Sequence, residues 1–188
     1  TGWLHHEEAA ILCPIASRDH SRDKAALMLP NLELQNAELV RTQMKGANFP
    51  GSNLFQATFV EIDFSGCNFK KTNIEAAQFI RCNLVRAFFN DARGGAYFDN
   101  CDLERTTFSR ALLEDTIFDN CRVTSTTKFF KTDLKDASLI GNYTEADFSR
   151  VINLDTVTPD SPHAMPPRSR LPKDFNGGWL QVDGPDEA

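Results

Sequence analysis

A large apolar residue stands at every fifth position from Leu29 to Phe89: Leu29, Leu34, Leu39, Met44, Phe49, Leu54, Phe59, Phe64, Phe69, Ile74, Phe79, Leu84 and Phe89. A period of five matches neither the roughly 3.6-residue repeat of an amphipathic helix nor the roughly two-residue repeat of a half-buried strand. The chain must therefore bend at regular intervals and stack short extended pieces. Two residues before each centre stands a small side chain, as in Ala47, Ser52, Ala57, Cys67, Thr72, Ala77, Cys82 and Ala87. Asn or Asp often lies between, as in Ala47-Asn48-Phe49 and Cys82-Asn83-Leu84. At Gly94-Gly95 the beat slips by one residue and resumes as Phe98, Leu103, Phe108, Leu113, Phe118 and Val123. A one-residue insertion leads to Phe129, Leu134 and Leu139, and a one-residue loss to Tyr143 and Phe148.

A bend every five residues sends the centre and the small residue inward. Successive coils then stack at about the 4.8 Å spacing of neighbouring strands and pair their backbones along the axis. An Asx side chain before the centre suits the bends, because it can bond nearby backbone. This pattern resembles the pentapeptide-repeat family, whose consensus is A(D/N)LXX. The resemblance implies a right-handed quadrilateral parallel β-helix with four pentapeptides per coil. Residues twenty apart then share a column, and allowing for the slips the first column reads Leu29, Phe49, Phe69, Phe89, Phe108, Phe129, Phe148. The second reads Leu34, Leu54, Ile74, Leu113, Leu134, Leu154, and the third Leu39, Phe59, Phe79, Phe98, Phe118, Leu139. The fourth is Met44, Phe64, Leu84, Leu103, Val123, Tyr143, so about six coils are expected over residues 29–154.

The composition agrees with one repeated slot, since 15 Phe stand beside only 2 Trp and 2 Tyr in 188 residues. No apolar run approaches the length of a membrane span, so the chain is expected to be soluble. A net charge of −6 argues against a nucleic-acid binder, which needs clustered Lys and Arg along one face. Five cysteines without a CxxC pair fit neither a disulfide framework nor a zinc ribbon. The sequence opens on Thr1, either as the start of a chain whose targeting peptide has gone or with its first residues missing, and the resemblance implies a cytoplasmic or a thylakoid-lumen location, a processed Thr1 favouring the organelle.

A solenoid exposes its core at both ends and needs caps. Residues 1–28 hold two helix-compatible stretches broken by Pro14 and Pro30, and are expected to form a short helical N-terminal cap. Residues 155–188 are Pro-rich. They are expected to leave the coil as an extended C-terminal tail lying across the surface, with Phe175 and Trp179 as anchors.

No catalytic set emerges. Cys82, Cys101 and Cys121 share an inward column, where a small apolar group is wanted and free Cys serves as one. Cys67 has the same reading in the neighbouring column, and Cys13 lies outside the repeat. The histidines His5, His6, His20 and His163 also lie outside it, and His6-Glu7-Glu8-Ala9-Ala10 lacks the second His of a zincin helix. Gly94-Gly95 has no following Lys-Ser/Thr, and no nucleophile–base pair appears. Neither a cofactor nor a metal is expected, and the chain is read as no enzyme.

The remaining reading is a structural scaffold that binds a protein partner through its solenoid faces, a candidate accessory subunit of a larger complex, membrane complexes included. On the third side the residue after each centre reads Val40, Val60, Ile80, Asp99, Asp119, Ile140, and Arg41 and Arg81 flank the aliphatic part. That is an apolar strip with a charged rim, as at a protein contact. Phe55, Phe88 and Phe130 also point outward in this register. Either the third side near Val60 or these Phe positions are expected to meet another chain or the C-terminal segment. The alternative that the resemblance offers is a DNA mimic that binds type II topoisomerases. It requires a strongly acidic shaft, whereas residues 29–154 hold 16 Asp and Glu against 14 Lys and Arg, a net −2.

Overall fold

The computed structural model describes residues 28–177. The expected N-terminal cap, Cys13, His5, His6, His20 and Trp179 lie outside them. Seven short strands stack in chain order into one parallel sheet: β1 (Glu38–Val40), β2 (Thr58–Val60), β3 (Gln78–Ile80), β4 (Tyr97–Asp99), β5 (Ile117–Asp119), β6 (Ser138–Ile140) and β7 (Thr158–Pro159). This sheet is the third side of a four-sided coil. The other sides stack through single bridges, as Asn48↔Asn68↔Phe88 on side one, Asn53↔Asn73↔Arg93 on side two and Asp63↔Asn83↔Asp102 on side four. The result is a parallel β-helix of about six coils.

The period explains the local structure. Each centre is buried and each following residue faces out, giving the buried middle position of every strand from β1 to β6. The Asx before a centre accepts the N–H two residues on, as Asp63 Oδ1 does from Ser65 and Asn68 Oδ1 from Lys70. That bond tightens the approach to the corner. At most corners one residue takes the left-handed conformation, for example Arg41 (φ 52°), Glu61 (55°), Arg81 (52°) and Asn100 (50°). The strain is carried by inter-coil hydrogen bonds such as Arg41 N–H to the Val60 carbonyl (2.9 Å).

Along the axis the Phe columns stack ring on ring. In column one Phe69 and Phe89 lie 4.7 Å apart and 13° from parallel, and in column three Phe98 and Phe118 lie 5.1 Å and 7°. Sides one and three face each other, so the two stacks meet edge to face, as Phe89 and Phe98 do at 5.8 Å and 90°. The strand repeat thus sets a spacing that suits stacked rings. Tyr143 ends column four and is buried, its hydroxyl donating to the Phe118 carbonyl at 2.7 Å.

Two slips are visible as register. Thr58 pairs with Gln78 after a full turn, but Gln78 pairs with Tyr97, one residue short, and Ile117 pairs with Ser138, one residue long. The short turn is closed by Gly94 (φ 105°), where a Cβ would lie 2.5 Å from the Glu75 amide nitrogen. The C-terminal stretch refines the expectation. It is extended chain broken by three 3-10 turns, but it folds over the end of the shaft and stacks on the last coil. Thr158 and Pro159 pair with Ser138 and Leu139, Tyr143 N–H bonds the Ala164 carbonyl, and Phe148 N–H bonds the Arg170 carbonyl. Val157, Met165, Leu171 and Phe175 are buried there, Phe175 as expected. One column assignment is displaced: Leu134 N–H bonds Ile152, so left-handed Asn153 takes the slot over Leu134, and Leu154 is buried one residue later in a 3-10 turn.

Candidate interaction faces

The inward positions are spent on packing and backbone satisfaction. Cys82, Cys101 and Cys121 are buried, and their Sγ atoms donate to the carbonyls of Phe59 (3.4 Å), Phe79 (3.1 Å) and Phe98 (3.3 Å) one coil below. Thr72, Thr106 and Thr132 do the same with their hydroxyls toward Phe49, Leu84 and Phe108. A small residue at this position therefore gains from carrying a donor, which the reading of Cys as a purely apolar filler missed. The neighbouring Cys101 thiol, followed by burial, pushes the Cys82 thiol well above its ordinary range, and burial pushes Cys67 up to about 12. These are protonated, unreactive thiols. Among the described residues no group of His, Cys, Asp or Glu has the arrangement of a metal site.

Function must then be sought on the outer faces. Val40, Val60 and Ile80 lie directly above one another on side three, in β1, β2 and β3. Val40 is exposed, and Val60 and Ile80 are half-buried. The rim that sequence assigned to Arg41 and Arg81 is a ladder closed by Glu61, which that reading left out. Arg41 Nε meets Glu61 Oε2 at 2.6 Å and Arg81 Nη2 meets Oε1 at 3.0 Å. Hydrogen bonds from Arg41 and then Arg81 hold the Glu61 carboxyl below the usual range. Further up the face Asp99 and Asp119 stack in register, each accepting from the neighbouring Asn100 or Asn120 side chain. Tyr97 donates to Asp119 at 3.0 Å, which raises the phenol to about 12.

The outward Phe residues are elsewhere. Phe55 is on side two and half-buried; Phe88 and Phe130 are on side one, opposite the aliphatic strip, 47% and 42% exposed. The eight residues singled out therefore do not form one site. Phe88 borders a shallow open concavity of about 390 Å³ with Gly46, Asn48, Gly66, Asn68, Lys70 and Asn90. Phe130 lies between two cations, Lys131 at 5.6 Å and Arg150 at 5.7 Å from its ring centre. Exposed Leu112 and Ile152 on side two, which occupy the position before a centre as Phe88 does, are absent from the sequence reading. That column was legible at the same twenty-residue spacing.

Comparison with known proteins fits this geometry. Residues 51–86 and 94–127 match the family model "Pentapeptide repeats" in eight copies. No curated protein matches the chain. A solved structure of a trypsin-treated variant of QnrB1, a plasmid-mediated fluoroquinolone resistance protein, is similar at TM-score 0.53 and 17% identity over 74% of this chain and 94% of that one. A pentapeptide repeat protein from the Arabidopsis thaliana thylakoid lumen aligns at TM-score 0.45 and 22% identity, covering 47% of this chain and 62% of its own. HetL, involved in heterocyst differentiation regulation in the cyanobacterium Nostoc, aligns at TM-score 0.33 and 16% identity over 79% and 92%. The matching repeats and the parallel quadrilateral coil they help to wind make the chain similar in fold to the pentapeptide-repeat proteins.

Proposed function

We propose that this chain is a non-enzymatic scaffold that holds a protein partner on its outer faces, side three first. The observation that carries the reading is the in-register strip Val40–Val60–Ile80 beside the Arg41–Glu61–Arg81 ladder. A strip of this kind on a rigid shaft offers shape without reorganisation cost, and the ion ladder supplies direction at its edge. The core supports a scaffold role in a second way: Cys82, Cys101, Thr72, Thr106 and Thr132 spend their inward donors on carbonyls of the coil below, and the Cys101 thiol and burial push the Cys82 thiol well above its ordinary range. The same geometry suits an accessory subunit of a larger assembly. No helix among the described residues is long and apolar enough to cross a membrane.

The test replaces Val60 by a photo-crosslinking phenylalanine analogue and, separately, by Arg, in the native source. Crosslinking to one defined chain, with loss of that chain's co-purification in the Val60→Arg protein at unchanged melting temperature, is the expected result. A crosslink pattern identical to that of a probe at exposed Glu114 on side two would sink the side-three reading.

A further inference from the structure

The small net charge of the shaft conceals a sorting by side. Side one carries Lys70 and Lys128 on its face and Lys71, Lys131 and Arg150 on the corner that follows it, and Arg86 stands on the corner before it. All six are exposed, and none forms an ion pair among the described residues. Lys128 bonds the Ser125 carbonyl, and Lys131 and Arg150 lie over Phe130. Three acids share the face and its corners: Asp91 is already held by Arg110 at 2.8 Å, half-buried Asp147 accepts the Ser149 N–H, and Glu145 lies at the upper end. Phe88 and Phe130 are exposed between the cations, and Phe88 shares a column with Lys128 two coils above it. Side one is thus positive and ring-bearing over the four coil steps from Phe69 to Phe148, about 19 Å at strand spacing.

The shape of the face selects the anion. Its backbone is taken up along the axis, as Phe88 N–H bonds the Cys67 carbonyl and the Phe88 carbonyl accepts from Phe69, so no strand edge is open to an added peptide strand. The concavity beside Phe88 is shallow and open, unlike the groove that seats a peptide helix. A nucleic-acid strand stacks its bases on open ring faces, whereas the Phe130 ring already has Lys131 at 5.6 Å and Arg150 at 5.7 Å. A planar anionic surface needs neither a groove nor an open ring face. It is met by cations on one flat side with apolar groups among them, because peripheral lipid binding adds buried apolar area to attraction for anionic headgroups. Each Lys or Arg held at such a surface strengthens binding about fivefold. The acidic side two lies around the corner, where the roughly 8 Å Debye length at physiological salt screens it.

We propose that side one is a docking face that lies flat on an anionic lipid bilayer, with Phe88 and Phe130 in the headgroup layer and the six cations against the lipid anions. The rigid shaft presents these groups together, without the ordering cost that a flexible basic segment carries. Docked in this way, side three faces away from the bilayer, and its aliphatic strip stays open to a protein partner. The docking and the scaffold reading rest on opposite faces and stand or fall separately.

The experiment is sedimentation of the full chain with vesicles of phosphatidylcholine alone and of phosphatidylcholine containing about one third phosphatidylserine. At low salt the anionic vesicles are expected to bind at least about tenfold better, and binding is expected to fall steeply as salt rises. The pair Lys128→Glu/Lys131→Glu is expected to weaken it by more than about tenfold, and Phe88→Ala/Phe130→Ala severalfold. Arg93→Glu/Lys135→Glu makes the same charge change on side two and is expected to alter binding less than about threefold. A benzoylphenylalanine replacing Phe130 is expected to take up lipid mass on irradiation, and one replacing Val60 is not. The side chains changed in the binding variants are exposed, so folding survives, and circular dichroism checks it. Failure to bind the anionic vesicles at low salt overturns the proposal, as does binding that the side-one variants leave unchanged. Capture of polyuridylate RNA or polyglutamate by side one without vesicle binding also overturns it, and assigns the face to a nucleic acid or an acidic protein.

Discussion

A thiol in this core has two roles, filling a small slot and donating to a carbonyl one coil away. Cys101 is a case in point, with Sγ 3.1 Å from the Phe79 oxygen and a relative exposure of 2%. Its thiol is raised above the ordinary range chiefly by the Cys121 thiol beside it, and burial adds to the effect. Cys82, Cys101 and Cys121 should therefore stay unlabelled by a thiol reagent at neutral pH until denaturant unfolds the coil. Rapid labelling of any two in the native protein would contradict the packing described. Their column was legible in the sequence as a row of small residues. The hydrogen bond was not, because it depends on which carbonyl the next coil presents.

Two elements differ in how they tolerate change. The short turn at Gly94 needs both a positive φ and the absence of a Cβ, since that atom would meet backbone of Glu75. Gly94→Ala is expected to cost more than about 2 kcal/mol in denaturant unfolding, combining left-handed strain with a steric shift of the neighbouring coil. A cost below about 0.5 kcal/mol, the range of ordinary surface changes, would show that the turn is not closed as described. The side-three corner is more tolerant, because its ladder is solvent-exposed. Glu61 has its folded pKa depressed by Arg41 and Arg81, so its contribution is present above the unfolded carboxylate pKa and is lost as pH falls through the folded value. Melting temperatures followed from neutral into the acid range should fall less steeply for Glu61→Gln than for the parent. An identical acid limb in both proteins would show that the ladder contributes nothing in solution.

At the scale of the whole molecule, charge is arranged by face. Cations collect on side one and its following corner, while Glu75, Glu114, Asp133 and Asp136 lie on side two and the corner after it. A duplex mimic would need its acidic groups to dominate the shaft, and here a basic face runs alongside the acidic one. Purified protein is accordingly expected to leave supercoiling by a type II topoisomerase unchanged well above micromolar concentration. Strong inhibition would revive the mimic. The stacked columns make each coil depend only on its neighbours, so the end coils set how the shaft frays. Leu171 and Phe175 serve this purpose at one end by covering the Phe148 level.

The sequence by itself determined the repeat, its four columns and the direction each side chain faces, because a fixed turn converts spacing along the chain directly into position in space. Leu39, Phe59, Phe79 and Phe98 could be stacked on paper before any coordinates existed, and they stack in β1 to β4. Only the tertiary structure decided the closing of the Arg41–Glu61–Arg81 ladder, the burial of Leu171 and Phe175, and the separation of Phe88 and Phe130 from the aliphatic strip by the full width of the shaft. Rotamers and irregular chain decide those features, and neither leaves a period in the sequence: residues 155–177 pack by docking on a surface that exists only once the coils below have formed.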